Sequence, residues 1–429
     1  MTSFKVFSGD DSLRFLAKDM KVKDYGVRQA FEFENTLTYT QGKIPIGIDE
    51  FGDIVNLNMK HSNKILVLGG TGGGKTFLMR NIMDRFYAAG RKNNETAIAN
   101  LTDIKPEFYT SVAPVQKQFY KFLLPNEKPT GLPVKSFKPY FLSKLTGKTN
   151  KSSENFQFSL QDLNRYDFET LLGGVSDAGT RGLNFLFELI REGKINSLDD
   201  MIKEIKKDEE VIDSRTKKPL IGEIINIQNM GVIGNNYPSV DFTEEIMKGN
   251  IPILDVEGFR KTGGKDNYIN TYIGMITRNI STSKSDGLIP KKVHILMMYD
   301  ECNRFVPSDG NPVSKKEILT ALDLTRSEKI SMVFSSQDYT RIPGTILEQC
   351  NIILVSHLIK TESFKNIIKE KSPQEYDHPV TFGVDMARKR ATMGKHKDGS
   401  RDWLLIDANS NDESFTFRPL APLSAHKLE

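Results

Sequence analysis

The sequence predicts an α/β fold with a mainly parallel central sheet and helices on both faces, for two reasons. Short unbroken apolar runs recur along the chain, and stretches of helical period fall between them. The runs cover residues 65–68, 96–101, 251–256, 295–299, 332–335 and 352–355. Continuous apolarity suits strands covered on both faces, where alternation would suit a strand with one wet face, so these six are read as the sheet.

Ahead of the first run, residues 44–57 read as a hairpin. Two alternating segments flank the turn Glu50-Phe51-Gly52-Asp53, which predicts a small lid or sheet edge. Residues 115–153 are crowded with Lys, Pro and Asn and read as a long surface excursion. From 160 to 246 the period turns helical. Leu183, Leu186, Phe187 and Ile190 share one face, as do Leu198, Met201, Ile202 and Ile205. The resulting division is an N-terminal extension over 1–43, a core over 44–110 and 248–429, and a surface excursion with an inserted, mainly helical module over 111–247.

Bulk composition sets limits. Hydrophobic residues are 38% and charged residues 27% of 429, the balance of a folded soluble protein. No apolar run approaches the roughly 20 residues that span a bilayer, and charges at Lys5, Asp10, Asp11 and Arg14 argue against a secretory signal, so a cytoplasmic protein is expected. Cys302 and Cys350, beside predicted strands, read as reduced core residues, and no metal-ligating cysteine is assigned. A net charge of +4 says little about a polyanionic partner, because it does not locate the basic residues.

The strongest motif lies between the run at 65–68 and a helical stretch that buries Leu78, Ile82 and Phe86 and ends at Gly90. Residues 69–76, Gly-Gly-Thr-Gly-Gly-Gly-Lys-Thr, satisfy G-x-x-x-x-G-K-[ST], the nucleotide phosphate cradle. Glycines let backbone N–H groups converge on phosphate oxygens, and the helix N-terminus adds partial positive charge. Gly70, Thr71, Gly72, Gly73, Gly74, Lys75, Thr76 and Phe77 are therefore the expected ATP contacts. Lys75 would reach the β and γ phosphates and Thr76 would ligate Mg²⁺.

A nucleotide hydrolase also needs an acid on the metal side and often a second one to polarise water. The run at 295–299 ends in Asp300 and Glu301, read as metal ligand and catalytic base. A Glu directly after the metal-side Asp favours a repeatedly firing motor over kinases and small GTPases.

With these residues in place, the chain resembles the FtsK/HerA superfamily of P-loop ATPases, whose members include conjugation and packaging motors. Ile44-Pro45-Ile46-Gly47-Ile48-Asp49 resembles the family's entry hairpin, and Thr102-Asp103-Ile104-Lys105-Pro106-Glu107 its Asp-x-Lys segment. Residues 250–258 are similar to its strand ending in an acid and a glycine, and 300–307 to its Asp-Glu-Ala-His-Arg-Phe segment, with Cys302 and Asn303 as departures. Thr325-Arg326 and residues 331–337 resemble its arginine segment and the strand ending in Gln. A weaker echo lies at 419–426.

The resemblance implies a RecA-like core and an ATP-hydrolysing homohexamer that translocates double-stranded DNA. Gln337 would be the γ-phosphate sensor and Arg326 the arginine finger for the neighbouring subunit, with Arg341 and Arg181 in reserve. Some forty residues before the hairpin are too few for the N-terminal barrel of the archaeal helicases, so targeting would fall to a nuclease, relaxase or membrane-channel partner. Two alternatives stand beside this. One is an ATPase energising conjugative or secretion transfer of single-stranded DNA or protein, and the other a nucleotide-dependent assembly scaffold with little turnover.

A ring motor should present mobile basic loops to DNA. Arg260, Lys261 and Lys265, near two glycines, form one candidate, equally readable as a solvated turn. Lys389, Arg390, Lys395 and Lys397 form another.

Overall fold

The computed structural model describes residues 43–425 apart from 50, 60, 91–94, 106, 126, 148–151, 175, 209, 262–265, 372–386, 397–399 and 408–413. Its centre is one 12-stranded sheet: β1 (Lys43–Asp49), β2 (Ile54–Asn58), β3 (Lys64–Leu68), β4 (Thr96–Asp103), β5 (Val134–Pro139), β6 (Ser153–Phe156), β7 (Ile251–Asp255), β8 (His294–Tyr299), β9 (Ile330–Ser336), β10 (Ile352–Ser356), β11 (Trp403–Asp407) and β12 (Ser414–Pro419). The spatial order is β2-β1-β12-β11-β10-β3-β9-β8-β4-β7-β5-β6.

The six expected strands are six adjacent members of this sheet, β10 through β7, and every pairing among them is parallel. Alternate side chains explain why their sequences are apolar throughout. Leu66 and Leu68 of β3 enter one core, with Ile295, Met297 and Tyr299 of β8. Ile65 and Val67 enter the core on the opposite face, with Leu296 and Met298. Both faces are buried, so residues of both parities are mainly apolar.

Helix α1 (Lys75–Gly90) covers the second face through Leu78, Met79, Ile82, Met83 and Phe86. The first face is covered by α8 (Asp266–Ser285) and α9 (Val313–Glu328). It is also covered by α2 (Tyr140–Thr146), α3 (Arg165–Leu171), α4 (Asp177–Arg191), α5 (Leu198–Lys207), α6 (Ser214–Met230) and α7 (Phe242–Met247). Two short helices, α10 (Gly344–Gln349) and α11 (Thr361–Lys371), follow β9 and β10. Among the described residues no helix is long and apolar enough to cross a membrane.

The predicted hairpin is β1-β2, antiparallel, with β2 at the sheet edge. Asp49 closes its turn by accepting from the N–H groups of Phe51 and Asp53, and Gly52 takes a left-handed φ of 91° there.

The stretch 115–153 differs from the surface excursion expected of it. It contributes β5, which extends the parallel sheet beyond β7, and the buried residues Phe137, Phe141 and Leu142. Its lysine content misled because Lys138 is itself buried, 1% exposed, and lies 3.5 Å from Asp255 and 3.2 Å from Glu257.

One face of α1 is polar yet buried: Arg80, Asn81, Asp84 and Arg85 are each 0% exposed. They clasp the segment that follows β12. Asn81 donates to the carbonyls of Ile46 and Leu420, at 2.7 and 2.9 Å. Arg85 donates to Ala421 O at 2.8 Å and forms a bidentate pair with Glu127. Asp84 accepts from the backbone and hydroxyl of Ser424. Asp84 and Arg85 thereby have the partners that burial demands, while Arg80 donates only through Nη1, to Thr110 Oγ1 and Ala425 O.

Candidate functional site

In an open parallel sheet, ligands gather at the carboxyl ends of the strands. Here the ends of β3, β9 and β8 lie side by side, so the residues just past them, Gly69, Gln337 and Asp300, meet at one edge.

The cradle is a tight backbone loop after β3. Gly69 N–H donates to Ser336 O and Gly70 N–H to Leu358 O, while Gly73 N–H turns back to Gly70 O at 3.0 Å. Glycine is required in the loop for two different reasons. At Gly70 a Cβ would lie 2.5 Å from Leu358 O. At Gly74 the φ of +88° is left-handed.

Lys75 is buried, donates to Gly69 O at 2.8 Å and stands 4.0 Å from a Glu301 oxygen. Burial lowers its pKa, partly offset by Glu301 and Asp300. Thr76 is half-buried on the first turn of α1. The side chain of Phe77 packs toward Phe119, so only its backbone could serve the cradle.

Asp300 and Glu301 follow β8. Burial raises the Asp300 pKa to about 6, against the hydrogen bond from Ser335 Oγ. Glu301 sits at φ 49°, ψ 45°, a left-handed conformation that costs a non-glycine residue roughly 1–3 kcal/mol. Its N–H donates to Asp300 Oδ1 and Ser335 Oγ, which holds that backbone in place.

Gln337, on the strand between those that end in the cradle and in the carboxylates, joins the two. Its amide donates to Glu301 Oε1, and its oxygen accepts from Thr71 Oγ1 at 3.1 Å. Thr71, Gln337, Glu301 and Lys75 thus form one connected set. Ser335 and Ser356 were missed in the sequence. Ser356 Oγ donates to Gly73 O at 3.1 Å. Both lie at or next to the end of a strand already read as apolar, and only the sheet order reveals their neighbours.

Asp103 ends β4 beside this group and accepts from the N–H groups of Glu107 and Phe108. Desolvation pushes its carboxyl well above the usual range, with Asp255 and Asp300 adding to the rise.

The expected arginine and DNA-contact residues are not part of this set. Arg326 lies near the end of α9, its side chain outside the described residues. Arg341 is exposed and pairs with Asp338 at 3.7 Å, and Arg181 is exposed on α4. Lys261 is exposed; the Arg260 side chain, Lys265 and Lys397 lie outside the described residues. Lys389 and Arg390 are committed to internal contacts, to Ser414 and to Ile359 O and the Phe364 ring.

Comparison with protein-family models finds no match, and no curated protein matches. Solved structures do. VirB4 of Thermoanaerobacter pseudethanolicus superposes with a TM-score of 0.55 at 14% identity, over 88% of this chain and 96% of that one. The unbound bacterial conjugative coupling protein TrwBΔN70 gives 0.48 at 12%, over 90% and 91%. The genome-packaging NTPase B204 of Sulfolobus turreted icosahedral virus 2, with ATPγS, gives 0.35 at 10%, over 85% and 100%. In fold the chain is similar to VirB4, and its architecture is RecA-like.

Proposed function

We propose that this chain is an ATP-hydrolysing motor, working as a homohexamer in the cytoplasm, that moves DNA. The observation that carries the reading is the connected set of Thr71, Gln337, Glu301 and Lys75 at the mouth of the cradle. A scaffold that only binds nucleotide has no need to tie its phosphate loop to a carboxylate.

In this reading Lys75 binds the β and γ phosphates, leaving its present partner Gly69 O. Glu301 takes the proton of the attacking water, a role worth about 10²- to 10⁴-fold in rate. Gln337 bridges the cradle to that carboxylate and reports whether the γ-phosphate is in place. Arg326 of the neighbouring subunit supplies charge from outside. The Thr76 hydroxyl and the Asp300 carboxylate are an all-oxygen pair suited to a hard cation, and they would hold Mg²⁺. Bound there, the cation supplies charge neutralisation to the phosphates.

Two cargoes suit this machinery. Double-stranded DNA is one, and single-stranded DNA or protein in conjugative or secretion transfer is the other. The likeness to VirB4, which extends over 88% of this chain, favours the second at least as well.

Steady-state ATP hydrolysis with and without long double-stranded or single-stranded DNA separates the readings, with Glu301→Gln as control and mass in solution recorded alongside. Turnover stimulated several-fold by one DNA form, lost in Glu301→Gln and accompanied by a ring-sized assembly, is the expected result. Nucleotide binding and assembly without turnover would transfer the protein to the scaffold class.

A further inference from the structure

The approach to β11 brings a cation to the phosphate loop that none of the motifs predicts. Residues 394–396 lie antiparallel to residues 400–402: His396 N–H donates to Ser400 O at 2.9 Å, Lys395 and Arg401 form an antiparallel bridge, and Asp402 N–H donates to Gly394 O at 3.1 Å. Asp402 anchors this hairpin. One of its oxygens accepts from Gly394 N–H, and the other contacts His396 Nε2 at 2.9 Å and Arg418 Nε at 3.3 Å. The next residue, Trp403, is 1% exposed, and a Cβ on Gly74 would lie 3.9 Å from its ring. The base of the hairpin is therefore packed against the cradle.

Arg401 projects from that base to the rim of the loop, where a Cβ on Gly72 would lie 4.0 Å from its Nη1. That nitrogen is buried, yet it has no hydrogen-bond partner among the described residues. A buried guanidinium N–H without an acceptor is costly, and unlike those of Arg80 this one stands at the phosphate loop. The nearby carboxylate, Asp402, is occupied by its own three contacts. His357 is no counter-charge, because an imidazole is neutral or cationic, and burial and then Arg401 itself hold it on the neutral side. What is missing at Nη1 is an acceptor, and the space beside Gly72 is where phosphate oxygens are expected to lie.

We propose that Arg401 is a phosphate-binding residue acting within its own subunit, its guanidinium directed to the terminal phosphates of the nucleotide held by the cradle. The inference rests on the ATPase reading and adds a cis cation to it. Arginine suits the place because its planar fork matches phosphate oxygens and stays charged. In phosphoryl-transfer enzymes such an arginine comes either from the same chain or from a partner. Here the hairpin would supply one from the same chain, whatever Arg326 does across an interface.

The test is equilibrium binding of ATPγS, ADP and AMP to the full chain and to Arg401→Ala and Arg401→Lys, with thermal melting of each. Arg401→Ala is expected to weaken ATPγS about tenfold or more, ADP less, and AMP less than twofold. Arg401→Lys should recover part of the ATPγS loss, and melting should stay close to the unmodified chain. In mixtures of Arg401→Ala with Lys75→Ala protein, hydrolysis should not recover, because each subunit lacks part of its own site. An unchanged ATPγS affinity in Arg401→Ala would overturn the proposal. So would an equal loss for all three nucleotides, which marks a residue that only shapes the loop, or recovered hydrolysis in the mixture, which marks action across subunits. An unmodified chain that binds none of the nucleotides would instead refute the ATPase reading itself.

Discussion

His294, at the start of β8, gives a stability prediction that depends on no assumption about function. It is 7% exposed, its ring meets Phe86 of α1 edge-on at 5.2 Å, and Nε2 lies 2.8 Å from Ser331 Oγ. The ring's other nitrogen hydrogen-bonds the Met59 backbone as donor, so Nε2 carries the lone pair and accepts from the Ser331 hydroxyl, which itself accepts from Asn63 N–H. Protonating Nε2 would cost that bond and bury a charge. Burial accordingly pushes the pKa from 6.5 down to about 4.

Between those two values the unfolded chain binds the proton and the folded one does not, so stability falls as pH falls through the window. The full shift of 2.5 units corresponds to about 3 kcal/mol at 1.36 kcal/mol per unit, and about 2 kcal/mol of it is lost by pH 5. Carboxylates titrate over part of the same range, so the measurement is a difference. Urea unfolding of the unmodified chain and of His294→Gln at pH 7 and pH 5 isolates the imidazole, because Gln keeps an acceptor without the titration. The gap between the two proteins should shift by about 2 kcal/mol in favour of His294→Gln at pH 5. Stabilities that fall in parallel would refute the neutral, accepting imidazole.

Three further outcomes follow from other contacts. Glu301→Gln should retain nucleotide binding while phosphate release drops about 10²- to 10⁴-fold, since the amide oxygen can still accept from Gln337 but cannot take a proton. Gly70→Ala places a Cβ 2.5 Å from Leu358 O, and forcing the loop aside at an overpacking cost of about 1–3 kcal/mol should weaken ATPγS roughly tenfold by calorimetry. Arg278→Met removes both N–H groups held by Asp167, at 2.9 and 2.7 Å, and leaves a carboxylate that is 0% exposed. Denaturant unfolding should then show a loss of about 3 kcal/mol or more.

What the sequence revealed tracks how local the physics is. The six central strands are legible because burial on both faces writes itself as unbroken apolarity, and the cradle because its glycines answer to the loop's own backbone. β5 hides because Lys138 is polar in sequence but paired with Asp255 and Glu257 in space. β6, Ser-Glu-Asn-Phe, is a four-residue edge strand with little to bury. Gln337 could be singled out from a motif. Its bonds to Thr71 and Glu301, the support from Ser335 and Ser356, and the position of Arg401 all depend on strand order, which no local pattern encodes.

The clasp on α1 has a temporal side. Arg85 takes its carbonyl partner at Ala421, 336 positions further along the chain, and Arg80 and Asp84 wait for Ala425 and Ser424. During synthesis the phosphate loop emerges early, and Arg85 can pair with Glu127 soon afterwards, but the donors of Asp84 and the carbonyl partners of Arg80 and Arg85 arrive only with residues 421–425. Contacts of such sequence separation form late. A nascent or truncated chain ending before this segment would display the P-loop motif without a finished nucleotide site. Competence to bind would then act as a signal that translation has passed residue 425.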